Sequence, residues 1–319
     1  MRAWVLCLLL VVWEPGFADS YPSKPIRIVV GYPPGGSGDF VARTISIELA
    51  KRLGQPIVID SRPGAGTNIA SEIVARAAPD GYTLLLGHNG SHGINKALYK
   101  KLSFDPDKDF VPITKVSSSP LIITVHPSVG VDSLKELIAN VKAQPGKLNF
   151  ASSGNGSAPH LAGVLFNSLT GVDMVHVPFR GGAPAVLSTL AGDTQVIFGT
   201  PPVVLPHIRA GKLRALATTT KARSLVVAGV PSAAEAGLPN YEVVFWTGLF
   251  APRGTPTPVV KKLFEAIVAV LGTPQIKERF AHEGVEAQPS QSPEAFQAAI
   301  RQEAPFWEGL VVSSGATID

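Results

Sequence analysis

An α/β fold in two lobes is what this sequence predicts, on three observations. A strand, a glycine-rich turn and a helix recur in that order through most of the chain. Beyond residue 256 the pattern reads as helices with no strand between them. The length of 319 residues, at about 150 per domain, suggests two units or one large one. Hydrophobic residues make up 45% and charged residues 16%, which supports a sizeable core and excludes a disordered chain. The 31 glycines and 28 prolines follow no Gly-X-Y period and mark many tight turns. The formal charge of +4 is mild and no Lys/Arg run exceeds two residues. That argues against nucleic acid and leaves a slight preference for small anions.

Residues 1–18 read as a secretory signal peptide: Arg2, an apolar run from Ala3 to Trp13, then Pro15, Gly16 and a small residue, Ala18, at the expected cleavage point. The run is too short to span a bilayer, which needs about 20 apolar residues. The single cysteine, Cys7, lies inside it, with LLLVVW following, so it is misplaced for lipid anchoring. The expected mature chain then has neither disulfide nor thiolate chemistry, and an exported, cysteine-free protein points to the periplasm.

Each element follows from its pattern. Ile26–Gly31 is a β-branched run of the kind found in buried parallel strands. Val41, Ile45, Leu49 and Leu53 recur at four-residue steps and predict a helix over Phe40–Leu53, stopped by Gly54. Pro56–Asp60 and Tyr82–Gly87 are the next strands, with a helix at Ile69–Ala78 between them. Together these predict a parallel sheet. A second series begins at Leu121–His126, followed by a helix capped by Asp132 or Ser133. It continues through strands at Leu148–Ala151, Met174–Pro178, Gln195–Gly199 and Leu213–Thr218, with helices at Leu161–Leu169, Ala185–Ala191 and within TPPVVLPHIRAG. Residues 221–240 are turn-rich, Tyr241–Phe250 is a long strand, and helices over about 257–271, 274–283 and 293–311 close the chain. Helices without strands are expected to cover the first sheet. The chain would then cross between lobes twice, near Ser117–Leu121 and Val243–Thr247, as a two-segment hinge. The expected division is 19–118 with 247–319, and 119–246.

The glycine turns follow strand ends, where open α/β sheets bind ligands. Helix N-termini there present unpaired N–H groups to carboxylates or phosphates. Motifs of chemistry are missing. GYPPGGSGD (31–39) lacks the Gly-Lys-Ser/Thr ending of a P-loop, and Val41 stands at the third glycine position of a dinucleotide motif. No GxSxG elbow surrounds Ser37 or Ser91. His88 and His92 are four apart without the Glu of HExxH, which favours a polar turn rim or a ligand hydrogen bond over a metal. His207 suits packing or capping, while His160, in the first turn of a helix, suits packing and ligand contact equally. Asp39 and Arg43 suit a cap with an ion pair. Arg180 is the one cation in a glycine turn of the second series, suited to a salt bridge or to a ligand carboxylate held bidentately. Ser152, Ser153 and Ser157 suit anion donation or capping.

Taken together, YPSKPIRIVVGYPPGGSGDFVAR, IDSRPGAGTNIASEIVARAAPDGYTLL, SSGNGSAPHLAGVLF and VHVPFRGGAPAVLSTLAGDTQVIF resemble the tripartite tricarboxylate transporter substrate-binding family, the Bug-type receptors, over about residues 21–317. The resemblance implies a type II periplasmic binding protein-like fold, two α/β lobes around a cleft for one small carboxylate. It implies no catalysis, no cofactor and no metal, and a monomeric receptor serving membrane transporter subunits or, alternatively, a membrane sensor. It places ligand contacts in the first lobe at Tyr32, Pro34, Gly35, Gly36, Ser37, Asp39, Thr67, Asn68, His88, Asn89 and Ser91. In the second lobe it places them at Ser153, Gly154, Ser157, His160, Arg180, Gly181, Gly182, Thr200 and Pro201. Two departures stand out: Pro34 replaces a small residue, and Gly199-Thr200 replaces a pair that often carries an acid able to meet a ligand amine. The expected ligand is therefore a carboxylate without an amine. An exported hydrolase or isomerase would need a nucleophile, base or metal that the motifs lack. A transcription-factor effector domain would need a helix-turn-helix where the signal peptide stands.

Overall fold

The computed structural model describes residues 21–318. The expected signal peptide and Cys7 lie outside them. The chain opens with β1 (Ile26–Val30), α1 (Ser37–Leu53), β2 (Ile57–Ser61), α2 (Asn68–Ala75), β3 (Thr83–His88) and the short α3 (Asn95–Leu98). It continues through β4 (Phe110–Pro120), β5 (Ile122–Val125), α4 (Leu134–Ala143), β6 (Asn149–Ser152), α5 (Ala158–Thr170), β7 (Val175–Pro178) and α6 (Gly182–Ala191). Then come β8 (Val196–Gly199), α7 (Pro201–Arg209), β9 (Arg214–Thr218), β10 (Val244–Pro252), α8 (Thr257–Leu271), α9 (Pro274–His282), β11 (Glu286–Ala287) and α10 (Pro293–Ser314).

The strands form two sheets. One has six strands in the order β11-β4-β10-β3-β1-β2, the other five in the order β7-β6-β8-β5-β9. The α/β expectation is met in both, but neither sheet is purely parallel. β1 pairs in parallel with β2 and β3, and β6 with β7 and β8. β10 is antiparallel to β3 and β4, and β5 is antiparallel to β8 and β9. The antiparallel strands are those that carry the chain between sheets. β4 is an 11-residue strand at a place where the sequence signals none. Its serines and two prolines read as a loop. Its pairing with β10 makes it a strand, with a bulge where Pro112 falls.

Local signals act as the sequence suggests. Val41, Ile45 and Leu49 of α1 are buried, and Gly54 ends the helix in the left-handed region at φ 71°. Ser133 caps α4 by accepting from the Glu136 N–H, while Glu136 accepts from the N–H of Asp132, the residue before the cap. α8 and α9 pack on the six-stranded sheet, where Leu263, Ile267 and Phe280 join Ile28, Val30 and Ile45 in one core. α10 differs: its end, with Trp307, Leu310 and Val311, joins the core around Phe150, Leu161 and Phe166 of the five-stranded body. The closing helix therefore spans both bodies.

Where the chain passes between sheets the backbone is tied together. Val244 pairs with Pro120 and Thr247 with Ser117. Thr219 lies between the passing segments. Its N–H donates to the Leu121 carbonyl and its carbonyl accepts from Val243 N–H. Its hydroxyl accepts from Leu121 N–H and donates to the Val243 carbonyl.

Candidate functional site

The turns after β1, β2, β3, β6, β7 and β8 converge between the two sheets. They enclose a cleft of about 640 Å³, adjoined by a cavity of about 30 Å³. Tyr32, Pro33 and Ser153 border both spaces. The N-termini of α1, α2, α5, α6 and α7 face this region through Gly36, Thr67, Ser157, Gly181 and Thr200. Of these five, only α5 is capped by a side chain. Unpaired N–H groups with the partial positive charge of a helix end favour anions, by roughly 0.3–1 kcal/mol for each end.

Electrostatics add one full charge. Arg180 is exposed, lines the cleft and has no ion-pair partner among the described residues. No Asp or Glu lines either space among the described residues. Such a wall can hold a carboxylate by backbone N–H groups, hydroxyls and one guanidinium, and has nothing to neutralise an ammonium.

The turn after β2 is strained. Ala65 and Thr67 take positive φ of 47° and 78°, and Gly66 between them takes 61°. Thr67 is held there by His88, whose Nε2 lies 3.0 Å from the Thr67 Oγ1. Gly90 N–H donates to His88 Nδ1 at 2.8 Å, so the neutral ring carries its proton on Nε2 and donates it to Thr67. Burial pushes His88 down to about 3, which keeps it neutral. A Thr–His contact thus exists, but the ring is in the wrong tautomer to take the Thr67 proton, and no acid stands behind it. The ring packs against Tyr32 and Phe245, with centroids 5.0 and 5.9 Å away. Burial also raises the Tyr32 phenol, which stays neutral.

Of the residues named from sequence, Tyr32, Gly36, Ser37, Thr67, His88 and Ser153 line the two spaces. So do Gly154, Ser157, Arg180, Gly181, Gly182 and Thr200. Ser157 does so with its hydroxyl committed: it donates to the Gly154 carbonyl and accepts from His160 N–H as the cap of α5.

The others fall elsewhere, each for a local reason. Pro34 is turned away, and its neighbour Pro33 lines the cleft instead. Asp39 accepts from Arg43 at 2.8 Å and from Gly35 N–H at 3.1 Å, and these three line a groove on the outer side of α1. Asn68 accepts from Asn95 Nδ2 within the first body. Asn89 donates to the Val244 carbonyl, toward the crossing strands, and Ser91 is bonded within its own turn. His160 accepts Gly156 N–H on Nδ1, and its ring stacks on His176 at 3.9 Å behind the cleft wall. Burial lowers it to about 4. Pro201 packs beside Gly284.

Cleft-lining residues outside the glycine turns include Tyr99, Asn95 and Ile318. Tyr99 and Ile318 meet in an isolated bridge. Phe179, in the glycine turn FRGGAP with Arg180, lines the cleft as well. Ile318 returns to the cleft from the far end of the chain, which no local signal reveals.

The family model described as "Tripartite tricarboxylate transporter family receptor" matches residues 41–311. This chain belongs to that receptor family. Protein BugT of Bordetella pertussis is 37% identical over 308 residues, covering 95% of this chain and 93% of BugT. Among solved structures, an R. palustris protein with adipate superposes with a TM-score of 0.90 at 34% identity, covering 93% of this chain and 100% of that one. MatC from Rhodopseudomonas palustris with bound malate gives 0.84 at 37% identity, covering 91% and 100%. The periplasmic binding protein BugD gives 0.85 at 34%, covering 93% and 99%. The α/β periplasmic binding fold expected of such a receptor is the fold of this chain.

Proposed function

We propose that this chain captures a small organic carboxylate between its two bodies in the periplasm and delivers it to a tripartite tricarboxylate-type membrane transporter. One observation carries the reading: a cleft rimmed by uncapped helix N-termini and by Arg180, with neither an ion-pair partner for Arg180 nor an acidic side chain in the wall among the described residues. Adipate and malate in two relatives support the ligand class. The missing acid favours a carboxylate without an amine over an amino acid. The two lobes would be 19–118 with 247–319, and 119–246, closing about the paired strands near Ser117 and Thr247. No turnover is part of this reading, since the Thr67–His88 pair is set to donate to the threonine.

The test is a thermal-shift panel on residues 19–319 with dicarboxylates, tricarboxylates, aromatic acids and amino acids. At 100 times its dissociation constant a ligand adds roughly 2.7 kcal/mol. For a chain of this size that raises Tm by about 5–10 °C. The expected result is a shift with malate, adipate or a similar acid, recovered unchanged, and none with aspartate or glutamate. A panel without any shift would overturn the carboxylate assignment.

A further inference from the structure

Ser37 and Thr200 are 163 residues apart in sequence, and their hydroxyl oxygens lie 2.5 Å apart. Ser37 begins α1 on the six-stranded body. Thr200 is the N-cap residue of α7 on the five-stranded body. We propose that this pair is a latch: it holds the two bodies closed over the cleft and slows the departure of a bound carboxylate. The second half rests on the receptor reading above.

Three features point this way. First, Thr200 stands where a threonine ordinarily spends its hydroxyl on its own helix, yet it makes no such cap and bonds across to Ser37. Second, both residues are buried, 9% and 8% exposed, so the bond lies largely away from bulk water while the bodies are closed. Third, two neighbouring contacts between the bodies work by shape. A Cβ on Gly181 would lie 3.1 Å from Pro33, and one on Gly156 would run into Leu98. Such surfaces fix how the turns meet, while a directional hydrogen bond is lost as soon as they part. Opening returns both hydroxyls to water, so the bond biases the equilibrium and does not lock it. A net hydrogen bond of ordinary strength corresponds to about a three- to tenfold change in population.

The chain from residue 19 contains no cysteine, so Lys51→Cys on α1 and Lys142→Cys on α4 take a dye pair for single-molecule energy transfer. Without ligand, Ser37→Ala and Thr200→Val are each expected to lower the ratio of closed to open molecules about three- to tenfold. Thr200→Ser, which keeps the hydroxyl, should restore it, and the double variant should be no worse than either single one. With adipate as probe, dissociation should quicken by the same factor. An unliganded Thr200→Val protein with the parent's distribution overturns the latch, as does full additivity in the double variant. Failure of adipate to bind the parent counts against adipate as a ligand and leaves the unliganded comparison decisive for the latch.

Discussion

Gly31 sits where the end of β1 meets the strained turn around Thr67, and the spacing leaves no room for a side chain. A Cβ placed there would lie 2.5 Å from the Thr67 Cβ and 2.8 Å from its Cγ2. Thr67 cannot move aside freely, because its own positive φ is held by the bond to His88. Gly31→Ala is therefore expected to push Thr67 off His88 and to misplace the N-terminus of α2. The overpacking should cost about 1–3 kcal/mol in chemical denaturation. Carboxylate affinity, read by calorimetry, should fall more steeply than stability does, because the displaced turn lines the cleft. Wild-type affinity in a destabilised Gly31→Ala protein would mean that the turn after β2 takes no part in binding.

The paired strands β4 and β10 and the segment through Thr219 form the element on which opening depends. Thr219→Val keeps the shape of the side chain and removes its hydroxyl. It leaves the Leu121 N–H and the Val243 carbonyl each short of a partner at a buried site. Each unpaired buried group costs about 1–3 kcal/mol, so a loss of roughly 2–6 kcal/mol is expected in urea unfolding. A loss under about 0.5 kcal/mol would show that the backbone bonds alone hold the crossing. This element also marks the limit of what sequence discloses. The turn YPPGGSGD is legible because glycines before a four-step apolar stripe have one common use, the entry to a helix at a strand end. Which of Pro33 and Pro34 faces the cleft is not legible, since the two differ only in the side of the turn on which they fall. β4 is not legible because Ser117, Ser118 and Ser119 carry no strand preference, and their pairing comes from residues more than 120 positions away. His160 is undecided by local pattern for the same reason: it lies in α5, and its partner His176 lies in β7.

At the scale of the whole molecule, four histidines among the described residues are held neutral, two in each body; His88, His92 and His160 are buried and His176 is half-buried. Desolvation lowers His88 and His92 to about 3 in the six-stranded body. It lowers His160 to about 4 and His176 to about 3 in the five-stranded body, the last pressed further by His160. Unfolded, each titrates near 6.5. Between the folded and unfolded values the unfolded chain binds more protons, so stability rises with pH there and falls on acidification. The stability these groups protect is complete above about pH 6.5 and drains as pH drops toward 4, each withdrawing up to about 1.4 kcal/mol per pH unit. Because both bodies carry such a pair, acid undermines them together, and α10, packed into the core of the five-stranded body, couples their unfolding. A single melting transition is therefore expected at every pH, with Tm falling by about 10 °C or more between pH 6.5 and 4.5. His176→Gln should flatten that fall while leaving the His88 and His92 contribution in place. A Tm unchanged from pH 7 to 5, or two transitions that separate as the pH drops, would count against neutral burial in the first case and against coupling through α10 in the second.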